Sequence, residues 1–333
     1  MRHISPLAAG LLAGCLSSTA LSVHAQQPPS TESVSRHVAA AKAAAGDDLG
    51  NLMGLCQAVP ATRASGEAIT KVVAQQLARP APAPGKAFDN LAYVGGAWAS
   101  AWALDTKDGI LLIDALNNDV EAEQLIDGGL KQLGMDPARI KMVIVTHAHG
   151  DHYGGAKYLT TQYKPRWVMS EIDWQQTEGQ LEFATPLWGA PPKRDMAVND
   201  GDTVKLGDDI VTTLLTPGHT LGTITPIFDV RAKGQRHRAM VWGGTAFNFG
   251  RDMPRLDAYI QATQRLAQVA REQQIDVMLS NHPGYDGTVK KLELLRSGAS
   301  ANPFVIGTPA VLRALTVMGE CAMAQRDRFL LAP

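Results

Sequence analysis

Val143-Ile144-Val145-Thr146-His147-Ala148-His149-Gly150-Asp151-His152 is the stretch on which the reading of this chain turns. Its first three residues are apolar and β-branched, the mark of a buried strand. Four potential metal ligands then follow within six residues. Imidazole and carboxylate together are the donor set of zinc and similar divalent ions. His147 and His149 are two apart, so in an extended segment leaving a strand both point to one side. Asp151 and His152 lie beyond a turn permitted by Gly150 and point to a different centre. One zinc ion accepts about four ligands, so the spacing predicts two ions side by side. The competing reading, a solvated histidine-rich loop, suits a lone histidine better than this pattern set directly after a β-run.

Two more histidines extend the pattern. His219 follows a strand-like run through Thr216-Pro217-Gly218-His219-Thr220, and His282 follows the apolar run 277–280 in Asn281-His282-Pro283. Either one alone would be an ordinary turn histidine. Of the nine histidines in the chain, however, five fall in these three places, each at a strand end.

Around these sites, strands are expected at 91–94, 99–104, 109–114, 166–169, 204–206, 211–215, 224–230, 239–242 and 277–280. Helices are expected at 120–133, 153–163, 255–273, 289–296 and 309–328. Strands, a helix, strands and then helices, with ligands at strand ends, predict two sheets between helical layers. The stretch 180–195 carries Pro186, Pro191 and Pro192 among Phe183, Leu187 and Trp188, and reads as a lid or substrate wall.

The segments His147-Ala148-His149-Gly150-Asp151-His152, Pro217-Gly218-His219-Thr220 and His282 together resemble the metallo-β-lactamase superfamily, over roughly residues 90 to 285. The resemblance implies an α/β protein with the αββα four-layer sandwich of that family and a metal-dependent hydrolase activity. It also implies two zinc ions per chain. His147, His149 and His219 would hold the first, and Asp151, His152 and His282 the second, with Asp151 also serving catalysis by orienting the nucleophile. Asp114, at the end of the run Leu112-Ile113-Asp114, matches the acidic strand end that buttresses the metal loop in the family, or is an ordinary turn aspartate.

Most hydrolases of the superfamily carry a bridging aspartate in a Gly-Asp-x-x-Phe-like segment. Here that segment reads Gly243-Gly244-Thr245-Ala246-Phe247, with Gly244 where the aspartate would stand. Its absence, with an all His/Asp ligand set, resembles the third subclass of zinc β-lactamases. Members of that subclass carry a serine-containing Tyr-Ala-Asp-Ser segment at this place, from which Gly243-Gly244-Thr245 departs. The leading expectation is therefore hydrolysis of the β-lactam amide by a metal-bound hydroxide. The alternatives are a zinc hydrolase of another ester, lactone or sulfate, and a mononuclear-iron redox enzyme of the same fold. Asp151 and His282 as additional ligands argue against the last. Thr245 could place a substrate carboxylate or be a plain strand-end threonine. Trp98, Phe183 and Trp188 are candidates for the apolar pocket wall, although each residue type is more often core.

The 333 residues are 45% hydrophobic and 19% charged with a net charge of −1. That is enough for one large core, and nothing in the charge suggests nucleic acid or an anionic membrane surface; a small-molecule substrate is what the family resemblance implies. Arg2, the apolar run 4–23 and Val23-His24-Ala25 read as a signal peptide over 1–25, implying a periplasmic or secreted protein. Leu12-Ala13-Gly14-Cys15 is the rival, a lipobox that would leave the chain anchored through a lipidated Cys15. Residues 26–86 read as an N-terminal extension ending in the linker Arg79-Pro80-Ala81-Pro82-Ala83-Pro84-Gly85, and 87–333 as the hydrolase domain. With Cys15 removed or lipidated, Cys56 and Cys321 remain as the pair expected to bridge in an oxidising compartment.

Overall fold

The computed structural model describes Met1 and residues 28–332. Residues 2–25 of the expected leader, Cys15 included, lie outside the described residues. Alternation within the strands sorts the chain into layers. In Gly109–Ile113, Leu111 and Ile113 face one core and Ile110 and Leu112 another, as the twofold period of a strand requires.

Seven strands form the first sheet in sequence order: β1 Gly85–Phe88, β2 Leu91–Tyr93, β3 Trp102–Thr106, β4 Gly109–Ile113, β5 Ile140–Ile144, β6 Arg166–Ser170 and β7 Met196–Val198. β1 to β4 pair antiparallel, and β4 to β7 pair parallel. The second sheet holds β8 Thr203–Leu206, β9 Asp209–Leu215, β10 Ile224–Ala232, β11 Gln235–Trp242 and β12 Val277–Ser280, in the spatial order β12-β11-β10-β9-β8. Leu104, Ile144 and Val168 of one sheet meet Ile224, Phe228 and Leu279 of the other in a shared core. Four helices are used below: α1 Thr31–Ala45, α2 Gly66–Leu77, α3 Met253–Glu272 and α4 Thr308–Leu331. Leu256 and Leu266 of α3 and Val311 and Leu315 of α4 cover the outer face of the second sheet. Ile126, Leu130 and Leu159, on helical segments 122–132 and 156–163, cover the outer face of the first. The four layers expected from the element order are present.

Several local expectations are corrected. The strand expected from residue 99 begins at Trp102, because Ala99–Ala101 are buried in a turn whose Ser100 N–H donates to the Asn281 carbonyl. The helix expected at 120–133 runs through Asp119–Glu121, Ala122–Asp127 and Gly128–Gln132, and its middle is π-helical. The boundary at 86/87 divides β1, whose Gly85 pairs with Tyr93, so the end of the proline-rich linker belongs to the first sheet. Four residues after a run of prolines carry too little alternation to announce a strand. α2 and β7 were also absent from the sequence reading.

The extension is bound tightly to the second sheet's outer layer. Leu52, Leu55 and Cys56 join the core formed by α3 and α4, and Ala41 and Ala45 of α1 pack there too. Cys56 and Cys321 form the expected disulfide, with Cα atoms 4.4 Å apart, well inside the bridging range of about 7 Å. Among the described residues no helix is long and apolar enough to cross a membrane.

Candidate metal centre

All the ligand candidates lie where strands end. β5 delivers His147 and His149 through the loop 145–149, and Gly150–Tyr153 is a single helical turn carrying Asp151 and His152. His219 occupies the β9–β10 turn and His282 the turn after β12. Gly218 has φ +144 and lies against Tyr259, with an added Cβ only 2.5 Å from that ring's own Cβ, so this turn accepts no side chain. The site is a seam: its ligands come from strand ends of both sheets.

Hydrogen bonds fix the tautomer of every ring. Nδ1 of His147 lies 2.6 Å from the Gly243 carbonyl, that of His219 2.7 Å from Ala246, and that of His282 2.7 Å from Trp98. A carbonyl only accepts, so each Nδ1 carries the proton and each Nε2 presents a lone pair. His152 Nδ1 faces the Asp114 carboxylate at 2.8 Å, which leaves its Nε2 as the lone pair too. His149 turns the other way: Nε2 faces Glu182 at 3.4 Å, so Nδ1 is the lone pair.

Those lone pairs converge in two groups. Nε2 of His147 and of His219 face His149 Nδ1 at 3.0 and 3.1 Å. Asp151 Oδ2 faces His152 Nε2 at 3.3 Å and His282 Nε2 at 3.6 Å. Donor atoms of His147, His149 and His219 lie within 4.8 Å of one another, and so do those of His147, Asp151 and His152. Buried acceptors facing one another repel unless a cation lies between them. The donor set is nitrogen with one carboxylate, which fits zinc.

Charge in the site tells the same story. Burial, followed by the neighbouring imidazoles, holds His147 and His219 well below the ordinary histidine value. Burial and then His152 bring His282 to about 4. For His152 burial pulls downward, but Asp151 and Asp114 outweigh it and carry the ring to about 10. Burial also opposes ionisation of Asp151, yet His152, His282 and His149 hold its carboxyl far below the ordinary range. The pocket thus draws positive charge to His152, and a bound ion would displace that proton.

Asp114 adopts φ +66, a left-handed conformation that aspartate tolerates better than most residues. Its oxygens accept from Thr146 N at 2.7 Å, Thr146 Oγ1 at 2.9 Å and His152 Nδ1, so this buried side chain braces the metal loop. Trp98, Phe183 and Trp188 line a cavity of about 320 Å³ together with His149, Asp151, His219 and His282. The Phe183 ring stands edge-on to His149 at 4.8 Å, and Trp98 lies 5.6 Å from the His282 ring. Trp188 packs on Gly150, where an added Cβ would fall 2.5 Å from its indole, and its Nε1 donates to Asn117 at 2.8 Å. Thr245 is placed elsewhere. Its buried side chain reaches toward Ser280 at 3.5 Å and lines the neighbouring cavity between β12 and the extension, so it does not face the metal ligands.

Two important side chains went unnoticed in the sequence. Asp173 lies fully buried and accepts from Ala148 N at 2.8 Å, Thr220 Oγ1 at 2.9 Å and Gly222 N at 3.1 Å, joining the His147–His149 loop to the His219 turn. Burial raises its carboxyl to about 6 against those three hydrogen bonds. Glu182 accepts from Arg63 at 2.9 Å and from Arg255, besides facing His149. Burial would raise it, but His149 and Arg255 prevail and keep it well below the carboxylate range. A capping pattern, Ser170 to Asp173, was the one local signal for the former.

Gly244 touches His219: an added Cβ would lie 2.6 Å from that residue's Cβ. An aspartate there has no room unless His219 moves. Gly244→Asp is therefore expected to lower zinc retention by about tenfold or more, the scale of disturbing a group that orients a ligand. Zinc content after dialysis against a weak chelator checks this; unchanged retention would show that His219 can yield.

The family model for the metallo-beta-lactamase superfamily matches residues 98–230. Those residues form a metallo-β-lactamase domain. Among solved structures, native FEZ-1 metallo-beta-lactamase from Legionella gormanii aligns with TM-score 0.68 at 22% identity, over 76% of this chain and 99% of that one. BJP-1, a subclass B3 metallo-beta-lactamase of Bradyrhizobium japonicum, aligns with TM-score 0.62 at 26% identity, over 72% and 92%. By sequence, a hydroxyacylglutathione hydrolase of Rhodopseudomonas palustris is 33% identical over 108 residues, 32% of this chain and 34% of that protein. The match thus spans about a third of that relative's length. The fold of the metallo-β-lactamase domain agrees with the four layers described above, and both groups of converging donors lie on it or, for His282, at the adjoining strand end β12.

Proposed function

We propose that this metallo-β-lactamase-fold protein is a two-zinc hydrolase that opens the amide of β-lactam rings. The observation that carries this reading is the pair of all-His/Asp donor groups beside Gly244, where His219 leaves no space for a bridging carboxylate. Near-complete alignment with solved metallo-β-lactamases supports it, whereas the hydroxyacylglutathione hydrolases match over a much smaller part of their length.

His147, His149 and His219 would hold one ion, and Asp151, His152 and His282 the other. Zinc bound in this way supplies Lewis acidity, polarising a carbonyl and making water acidic near neutral pH. The chain's own contribution is positional. Carbonyls of Gly243, Ala246 and Trp98 and the carboxylates of Asp114 and Glu182 lock each imidazole with its lone pair inward. Asp151 remains ionised and offers an oxygen that can accept a proton-bearing group beside the donors. Trp98, Phe183 and Trp188 form apolar walls that exclude bulk water and seat a ring-bearing substrate. Mature residues would act outside the cytosol, consistent with the leader-like start and the disulfide.

Hydrolysis of a thioester or lactone is the second reading, favoured by the identity with the hydroxyacylglutathione hydrolases. A chromogenic cephalosporin, a hydroxyacylglutathione and a lactone panel, each assayed with the zinc-loaded protein, separate the two. The expected result is a kcat/KM for the cephalosporin at least about a hundredfold above the others. Preferential turnover of the thioester or lactone would overturn the β-lactam reading.

A further inference from the structure

The cavity at the metal donors is not built by the metallo-β-lactamase domain alone. Ile69, on α2, and Arg79, just beyond it, line the same cavity as His149, Asp151, His219 and His282, and Asn51 of the extension lines it too. Three contacts hold this roof in place. Thr70 Oγ1 lies 3.0 Å from Thr185 Oγ1 across the 180–195 loop, Arg63 pairs with Glu182, and Arg251 N donates to the Ala61 carbonyl at 2.7 Å. Beyond Arg79 the prolines prevent the helix from continuing, and Arg296 donates to the Ala83 carbonyl at 2.9 Å, which fixes the exit.

Among the described residues, Arg79 is the one lining side chain with a fixed positive charge. Its Nη1 donates to the neutral amide of Gln76 at 3.0 Å, and among the described residues no carboxylate pairs with it. An exposed guanidinium lining the cavity that holds the metal donors can receive a planar anion in two-point fashion through the N–H groups that Gln76 does not take. Thr245, the residue expected for that task, faces another cavity. We infer that Arg79, supplied by the N-terminal extension, binds the carboxylate of the substrate and so determines specificity at the metal site. This rests on the hydrolase reading above, and it applies to any carboxylate-bearing substrate, a β-lactam or a glutathione conjugate alike.

The test compares acid with ester. A mercaptocarboxylic acid and its methyl ester share a thiolate that binds zinc, and their affinities for the zinc-loaded full chain are measured by calorimetry. Arg79→Gln should weaken the acid about tenfold and leave the ester within twofold; Arg79→Lys should recover part of the loss. The acid's advantage in the wild type should shrink with salt, as an exposed charge contact does. KM for a carboxylate-bearing cephalosporin should rise by a similar factor with kcat little changed. Equal weakening of acid and ester, or no weakening, overturns the inference even if the cephalosporin is hydrolysed. An acid-specific loss in a protein that turns over no cephalosporin upholds Arg79 and rejects the β-lactam reading instead.

Discussion

His147→Ala is expected to lower kcat/KM by at least about a thousandfold, roughly 4 kcal/mol of transition-state stabilisation, with the chain still folded. His147 has the largest effect of any ligand because it is the one residue that belongs to both three-residue donor groups among the described residues. It also anchors to the Gly243 carbonyl on the opposite sheet. Zinc content should fall from two ions per chain to one or fewer, measured by elemental analysis on protein whose circular dichroism matches the wild type. Exhaustive chelation should reproduce the loss, and added zinc should reverse it. Activity that persists in chelated wild-type protein would refute a metal-dependent reaction.

The second large effect concerns stability. The disulfide joins residues 265 apart in sequence, the span from the extension to α4. Closing a loop of that length gives about 5 kcal/mol in the chain-entropy picture, and measured bridges commonly give less. Cys56→Ala with Cys321→Ala should therefore cost about 4 kcal/mol and lower Tm by about 6 °C. Both sulfurs lie in the core shared by α3 and α4, so part of the loss is packing rather than cross-linking. Reduction of the wild type without substitution separates the two, because it breaks the bond and keeps the atoms. A double variant as stable as the oxidised wild type would remove the bridge from any stabilising role.

The ligand pattern was legible because its information is local. His147, His149, Asp151 and His152 sit within six residues at the end of an apolar strand, and the Pro-Gly turn before His219 is equally compact. The four layers followed from element order and twofold alternation. What stayed hidden depends on distant partners. Glu182 means nothing in the sequence until Arg63, Arg255 and His149 arrive around it. Asp173 looks like a helix-start residue, and only the fold turns its carboxylate onto Ala148 and Thr220. Thr245 was misplaced for a related reason: a strand end fixes which residue is near the site but not which cavity its side chain enters. Arg79 lay in a stretch whose composition announced only an extended linker, and no local feature says that it and Ile69 of the neighbouring α2 line the pocket.

Because the donors come from strand ends of both sheets, an ion held among them is also a clamp between the two halves of the sandwich. Ligand binding to the folded state alone adds about 4 kcal/mol when free ligand exceeds its dissociation constant a thousandfold. Resistance of this chain to unfolding and to proteases would then track the free zinc of its surroundings. In a zinc-starved medium the protein would stay folded on its shared core but lose part of its stability along with its chemistry, so its abundance would report on metal supply.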